Sequence, residues 1–338
     1  MTKLVKLRLN KMKQNRLEFP LLINIVCVLF LFSTLTHIGC DSNKSSNASK
    51  DGKIRVVCTI GMITDIVKNV GGNKVEVIGM MGAGVDPHYY RPTPKDIQTL
   101  SSAHIIFYNG LQLEARMGEV LAKMKGNTQT VAVTDSIDKA QLLRPDEFEG
   151  QYDPHVWFDV KLWMKVMEKV RDTLSEYRPE DETIYQENAK NYLAKLLELD
   201  QYVRSQTELI PSEQRVLVTA HDAFNYFGRA YGFEVRGLQG ISTATEASIA
   251  DVQGLATYIV ERRIPTIFVE TSVSTRKIDA VKASVNAKGL EVELGEPLYS
   301  DAMGNEGTPE GTYIGMIRSN IDTIVKGLTR EMTEAEED

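Results

Sequence analysis

Apolar positions along the chain switch between two spacings. Short apolar or alternating runs at 54–60, 74–81, 104–108 and 131–134 predict strands. Between them, helical spacing predicts helices over 61–71, from Thr93-Pro94 onward, and over 114–125, with Gly71-Gly72 and Gly126 as stops. Thr93 suits an N-cap and Pro94 the first turn. Asp159 caps a further helix that runs to about Tyr177, before Pro179. The alternation resumes after residue 211, with strands at 215–219, 266–270 and 291–294. Helices are expected there at 223–231, 249–262, 275–287 and 312–328. Strands and helices that alternate in this way predict parallel α/β sheets.

Residues 180–209 break the pattern. No Gly or Pro lies between Pro179 and Pro211, and Tyr185, Tyr192, Leu196, Leu199 and Val203 recur at helical spacing. A helix of about 30 residues would be a rod on the order of 45 Å long. Such a rod is long for the interior of one lobe but suits a link between two. The expected architecture is two α/β lobes, each with a mainly parallel sheet, at 54–178 and 211–330. One long rigid helix over 179–210 joins them, and an acidic tail follows at 331–338.

The first 40 residues obey other rules. Lys3, Lys6, Arg8, Lys11, Lys13 and Arg16 precede an apolar run of 12 residues, Leu21 to Phe32, broken only by Asn24. That run is shorter than the roughly 20 residues needed to cross a bilayer, but it suits the centre of a secretion signal over 1–39. The signal closes on Gly39-Cys40, a pair that resembles the site at which bacterial lipoproteins are cut and acylated. His37 stands where such sites carry an aliphatic residue. Cys40 is therefore the expected lipidation site, and the polar stretch 40–53 a flexible tether. An exported protein is expected, lipid-anchored on the outer side of the cytoplasmic membrane or periplasmic.

Composition is that of a globular protein, 42% hydrophobic and 25% charged over 338 residues. Removing 1–39 takes away six basic residues and one acidic residue, so the net charge moves from −7 to −12. An acidic body speaks against nucleic acid as a partner. Cys58 is the one cysteine of the body, which excludes an intrachain disulfide there. Its place in an apolar strand suits a small core residue.

The chemistry centres on histidine. The body holds His88, His104, His155 and His221. Two stand in the same context, Asp86-Pro87-His88 and Asp153-Pro154-His155, where proline stiffens the loop that presents the ring. A stiff donor loses little freedom when it captures a ligand. His221 follows Val216-Leu-Val-Thr-Ala220 and so sits at the carboxyl end of a strand, where open α/β sheets bind ligands. His104 begins an apolar strand without polar company and reads as structural. Asp301 lies just past the strand at 291–294, and its local sequence suits a turn or a helix cap.

Several segments resemble the metal-specific solute-binding proteins of ABC importers, the TroA-like group. They are Gly84-Val-Asp-Pro-His-Tyr-Tyr-Arg-Pro-Thr-Pro94, Tyr152-Asp-Pro-His-Val-Trp157, Thr219-Ala-His-Asp-Ala-Phe224, Gly240-Ile-Ser-Thr243 with Glu246-Ala-Ser248, and Leu298-Tyr-Ser-Asp-Ala302. The resemblance covers residues 54–330 in the family's order. It implies a high-affinity receptor that binds one divalent transition metal between two lobes and hands it to a permease. The ligands it implies are His88 and His155 from the first lobe, with His221 and Asp301 from the second. Their separations of 67, 66 and 80 residues exclude a local zinc-finger site. Three imidazoles and a carboxylate suit zinc or manganese, with iron less favoured. Many manganese-type relatives carry Glu where this chain has His221, and many zinc-type relatives carry a His-rich loop that residues 110–150 lack.

The receptor is expected to act as a monomer without catalysis. Two other readings compete. A zinc hydrolase would use three ligands and keep Asp301 as a base, but the chain contains no His-Glu-x-x-His and no nucleophile triad. A surface adhesin would use the same export signal and tether, yet leave a four-ligand site without a purpose.

Overall fold

The computed structural model describes residues 52–148 and 150–330. The expected signal, Cys40, the tether up to residue 51 and the acidic tail lie outside the described residues.

The first lobe begins with β1 (Ile54–Cys58), α1 (Gly61–Gly71) and β2 (Val75–Gly79). Then come α2 (Pro94–Ser101), β3 (Ile105–Tyr108), α3 (Gly118–Met124) and β4 (Gln129–Ala132). The strands form one parallel sheet in the order β2-β1-β3-β4. α2 starts with the expected cap: Thr93 and Asp96 close a reciprocal capping box, with Pro94 at the first position. α4 (Val160–Tyr177) then closes the lobe, its N-terminal N–H groups held by the Asp159 carboxylate.

The second lobe repeats the plan with β5 (Val216–His221), α6 (Asn225–Tyr231), β6 (Glu234–Gln239) and α7 (Ile249–Arg262). It continues with β7 (Thr266–Glu270), α8 (Arg276–Asn286), β8 (Glu293–Leu298) and α9 (Tyr313–Leu328). Its sheet order is β6-β5-β7-β8, again parallel. β6 was not legible as a strand. Its sequence Glu-Val-Arg-Gly-Leu-Gln mixes charge and glycine because it forms a sheet edge, half open to water. β8 runs later than expected and contains Pro297, which an edge strand tolerates because one row of its N–H groups has no partner.

Between the lobes runs α5 (Glu182–Thr207), 26 residues or about 39 Å long. Tyr185, Ala189, Tyr192, Leu196, Leu199 and Val203 face inward at steps of four and three, and all are buried. One apolar cluster runs from Ile63 and Val67 of α1 through Trp163 and Met167 of α4 and the spine. It continues into Leu217 and Phe224 of the second lobe and Ile317 and Ile321 of α9. A smaller cluster lies on the far side of the second sheet, around Val218, Ile259, Ile267 and Val281. Asp65 of α1 also accepts a hydrogen bond from Tyr192 Oη of the spine at 2.7 Å. The spine is therefore packed into both lobes along one side.

A core shared in this way should unfold as one unit. Leu196, fully buried in α5, belongs to it. Leu196→Ala is expected to cost about 2–5 kcal/mol and to leave a single calorimetric transition at lower temperature. Two separated transitions would contradict the shared core.

Candidate metal centre

Each expected ligand reaches the site by its own local device. In the loop after β2, Asp86 Oδ1 accepts a hydrogen bond from the backbone N–H of His88 at 2.8 Å. Asp153 Oδ1 does the same for the N–H of His155 at 2.9 Å. Both Asp-Pro-His segments are thus tight Asx turns, with the proline fixing the residue between. The second turn is further braced where Asn109 Nδ2 donates to the Pro154 carbonyl at 3.0 Å. Asn109 sits in a loop with three successive left-handed residues, Gly110, Leu111 and Gln112. The buried Glu114 carboxylate holds that loop by accepting from Asn109 N at 2.7 Å, Gly110 N at 3.1 Å and Thr59 Oγ1 at 2.7 Å.

His221 is the last residue of β5, so the sheet itself aims it. Asp301 lies three residues past β8, where Asn320 bonds both the N–H and the carbonyl of Tyr299, at 2.9 and 2.7 Å. Trp157 Nε1 donates to the Ser300 carbonyl across the cleft at 3.1 Å. The turn or cap that the local sequence of Asp301 suits does not engage its side chain. Its side chain caps nothing and points at three imidazoles.

The four residues converge. His88 Nε2 lies 3.4 Å from His155 Nε2 and 3.5 Å from Asp301 Oδ2. His155 Nε2 stands 3.3 Å from Asp301 Oδ1, and His221 Nε2 3.4 Å from Asp301 Oδ2. One donor atom from each falls within 4.8 Å of every other. Donors about 2.1 Å from a tetrahedral ion are about 3.4 Å apart, the edge of that tetrahedron. These buried residues are 4% exposed at His88, 1% at Asp301 and 0% at the other two. Both Asp301 oxygens and His221 Nε2 are buried without a well-aligned hydrogen bond. Buried polar atoms left in that state are costly, and a cation among them would satisfy all at once.

The ring nitrogens that face away are held as well. His155 Nδ1 lies 2.7 Å from Asp153 Oδ1, and His221 Nδ1 is in ion-pair contact with Glu270 Oε2 without a well-aligned hydrogen bond. These contacts leave Nε2 free to donate a lone pair inward. Asp86 differs from Asp153, because its second oxygen turns to Thr243 Oγ1 of the opposite lobe at 2.7 Å. Tyr89 Oη adds a bond to the Ala244 carbonyl at 3.3 Å, so the loop at 243–244 closes over the His88 side.

Charge inside this dry site is strongly coupled. Burial opposes a proton on His155, but Asp153 and Asp301 outweigh it and raise the pKa to about 9. His221 is likewise penalised by burial, yet Glu270 and Asp301 carry it well above the usual histidine value. Burial dominates at His88 and lowers it to about 3, against the pull of Asp301. Asp301 would be raised by burial, but the His221 and His155 charges hold it well below the carboxylate range. The carboxylates around His155 and His221 thus favour positive charge where a dication would sit.

His104 is not part of the cluster. It stands before β3, where its Nδ1 accepts from Arg55 N at 2.8 Å, and its ring stacks on Tyr177. Sequence reasoning did not identify Asp86, Asp153, Trp157, Thr243 or Glu270 as parts of the site. Glu270 had a legible signal, an acid that ends the otherwise uncharged strand Thr-Ile-Phe-Val-Glu.

The chain is similar to known metal-binding proteins. Residues 56–327 match the family described as zinc-uptake complex component A, periplasmic (ZnuA). The zinc-binding protein TroA of Treponema pallidum is 50% identical over 286 residues, 85% of this chain and 92% of that one. The manganese-binding lipoprotein MntA of Bacillus subtilis is 43% identical over 298 residues, 88% of this chain and 97% of that one. The solved structure of the treponemal periplasmic zinc-binding protein superposes with a TM-score of 0.81 at 49% identity, covering 82% of this chain and all of that one.

The raised histidines set a pH signature for the metal-free protein. Their contribution to stability is fully present below about pH 6.5 and is lost as pH rises through their raised values, about 9 at His155. Asp301 acts in the opposite sense: its contribution is present above about pH 3.9 and is lost as pH falls through its depressed value. With chelator present, the urea midpoint should fall between pH 6.5 and 9. A flat profile over that window would contradict the protonated cluster.

Proposed function

The chain belongs to the zinc-uptake component A family of periplasmic metal receptors, and from that premise we propose that His88, His155, His221 and Asp301 hold one divalent transition-metal ion as cargo for an ABC permease. The observation that carries this reading is the convergence of four buried donors within 4.8 Å of one another, with His88–His155 and the three imidazole–Asp301 distances at 3.3–3.5 Å, close to the edge of a tetrahedron around a small cation. Two ligands come from the lobe over 54–178 and two from the lobe over 211–330, with 179–210 linking them. No bond is made or broken in the cargo. All four donors meet at one point, so Asp301 acts as a ligand and not as a detached base.

Zinc and manganese are both proposed as cargo. Relatives of similar identity are named for one and for the other. Three neutral imidazoles weight the set toward zinc, and iron is less favoured. Since MntA is named a lipoprotein, we extend the proposal to an acyl anchor on Cys40, a tether over 40–53 and a monomeric receptor on the outer side of the cytoplasmic membrane.

Release needs the four donors to part. The shared core and the continuous spine resist bending, which favours a modest rocking of the lobes. The bond from Thr243 to Asp86 and that from Tyr89 to Ala244 close the side on which His88 lies. They act as a small clasp on the exit.

Two experiments test this reading. Protein purified without chelator should carry about one equivalent of metal by elemental analysis and a His221→Ala variant far less. Calorimetry in buffers of differing ionisation heat should show more than one proton released per zinc bound at pH 7. Equal metal content in both proteins would sink the ligand assignment. For the clasp, Thr243→Ala removes one hydrogen bond worth about 1 kcal/mol, so chelator-driven release should quicken about fivefold. Unchanged release would place the exit elsewhere.

A further inference from the structure

β5 and β7 run side by side and parallel, with Thr219 in register with Phe268. Two residues further on, side chains return to the same face of a sheet. His221 and Glu270 therefore leave the carboxyl edge of the sheet as neighbours. Glu270 Oε1 accepts a hydrogen bond from the backbone N–H of His221 at 2.8 Å, and Oε2 lies against the Nδ1 of the same ring. The side chain is buried, at the end of a strand buried along its whole length. A carboxylate in that place is costly without a partner. Among the described residues the ion-pair partner of Glu270 is His221, and no lysine or arginine pairs with it.

We propose that Glu270 is the positioning residue for His221, and that it biases the site toward late first-row metals over manganese. The inference rests on the ligand set proposed above and adds a determinant of which ion that set prefers. Two contacts to one residue fix both the strand end and the ring, so His221 Nε2 stays 3.4 Å from Asp301 Oδ2. A carboxylate oxygen beside Nδ1 also favours the tautomer with its proton there and the Nε2 lone pair facing inward. Because that neighbour is a carboxylate, the lone pair becomes more basic. A stronger nitrogen donor benefits zinc and cobalt more than manganese, which relies on oxygen.

The three imidazoles are not equivalent in this respect. Asp153 serves His155 but divides its charge with the His155 N–H and with Asn225 Nδ2 at 3.2 Å. Asp86, in the matching turn of His88, spends its second oxygen on Thr243. Among the described residues Glu270 turns both oxygens to His221, Oε1 bonded to its backbone N–H and Oε2 in ion-pair contact with its ring. It is therefore the carboxylate whose change alters one donor and leaves the two Asx turns intact.

The test compares unaltered protein with Glu270→Gln and Glu270→Ala, using zinc, manganese and cobalt ions as probes. Loss of such a carboxylate costs about 10–100-fold in metal affinity. Zinc binding should weaken by that factor and manganese binding by a clearly smaller one, so the zinc-to-manganese ratio falls. The visible absorption of the cobalt-loaded Gln variant should shift, while the circular dichroism of its metal-free form matches the unaltered protein. An unchanged ratio and cobalt spectrum would overturn the proposal. If both variants fail to fold, long-range proton–nitrogen spectra of zinc-loaded unaltered protein still decide. A His221 Nδ1 proton shifted far downfield, as a carboxylate acceptor requires, supports the role, and one at the position of an ordinary solvated imidazole N–H ends it. Unaltered protein that binds none of the three ions would overturn the receptor reading itself, which is a distinct result.

Discussion

Four electron-rich side chains are pressed together here where water does not reach. Asp301 has both oxygens buried among three imidazoles, and neither has a well-aligned hydrogen bond. Asp153 and Glu270 add two more buried carboxylates directly behind the rings. Without positive charge this centre would be expensive to assemble, because burial penalises each carboxylate and their charges repel. Protons on His155 and His221 offset part of that cost in the metal-free protein. A dication would offset it through four ligand bonds, and the rest of the molecule can be understood as what holds the donors in place.

That support comes in two forms. Near the ligands it is polar and local: two Asx turns, the Glu114 nest beneath Asn109, and the clamp of Asn320 on Tyr299. Further away it is apolar and shared, since one cluster of buried side chains passes from α1 through the spine to α9. Trp157 joins the two. Its ring meets His155 edge-on at 5.2 Å, its Nε1 bonds the carbonyl before Asp301, and its own carbonyl accepts from Tyr313 Oη at the start of α9. The proposed donors from both lobes are thus tied to the same frame.

Most of the fold was legible from local rules. Apolar spacing located every strand but β6 and placed the spine, because buried faces of parallel sheets and long helices leave periodic traces. β6 escaped because an edge strand open to water keeps charges and glycine that read as loop. The histidines stood out by type and context, and the repeated Asp-Pro-His hinted at stiff presentation. Asp301 gave no local signal of its own. A carboxylate in a loop has the same sequence appearance whether it caps a turn or faces a cation, and only its distant neighbours differ.

The linear order of residues determined the two α/β halves, the rod between them, and the residue types able to bind a metal. Those properties depend on contacts a few positions apart, which periodicity and turn chemistry record directly. Tertiary structure alone decided that donors 67 to 213 positions apart meet at 3.3–3.5 Å. It also decided that Asp153 and Glu270 stand behind rings while Asp86 reaches across to Thr243. Convergence over such separations follows from the register of two sheets and the packing of one spine, and no local stretch of sequence encodes either.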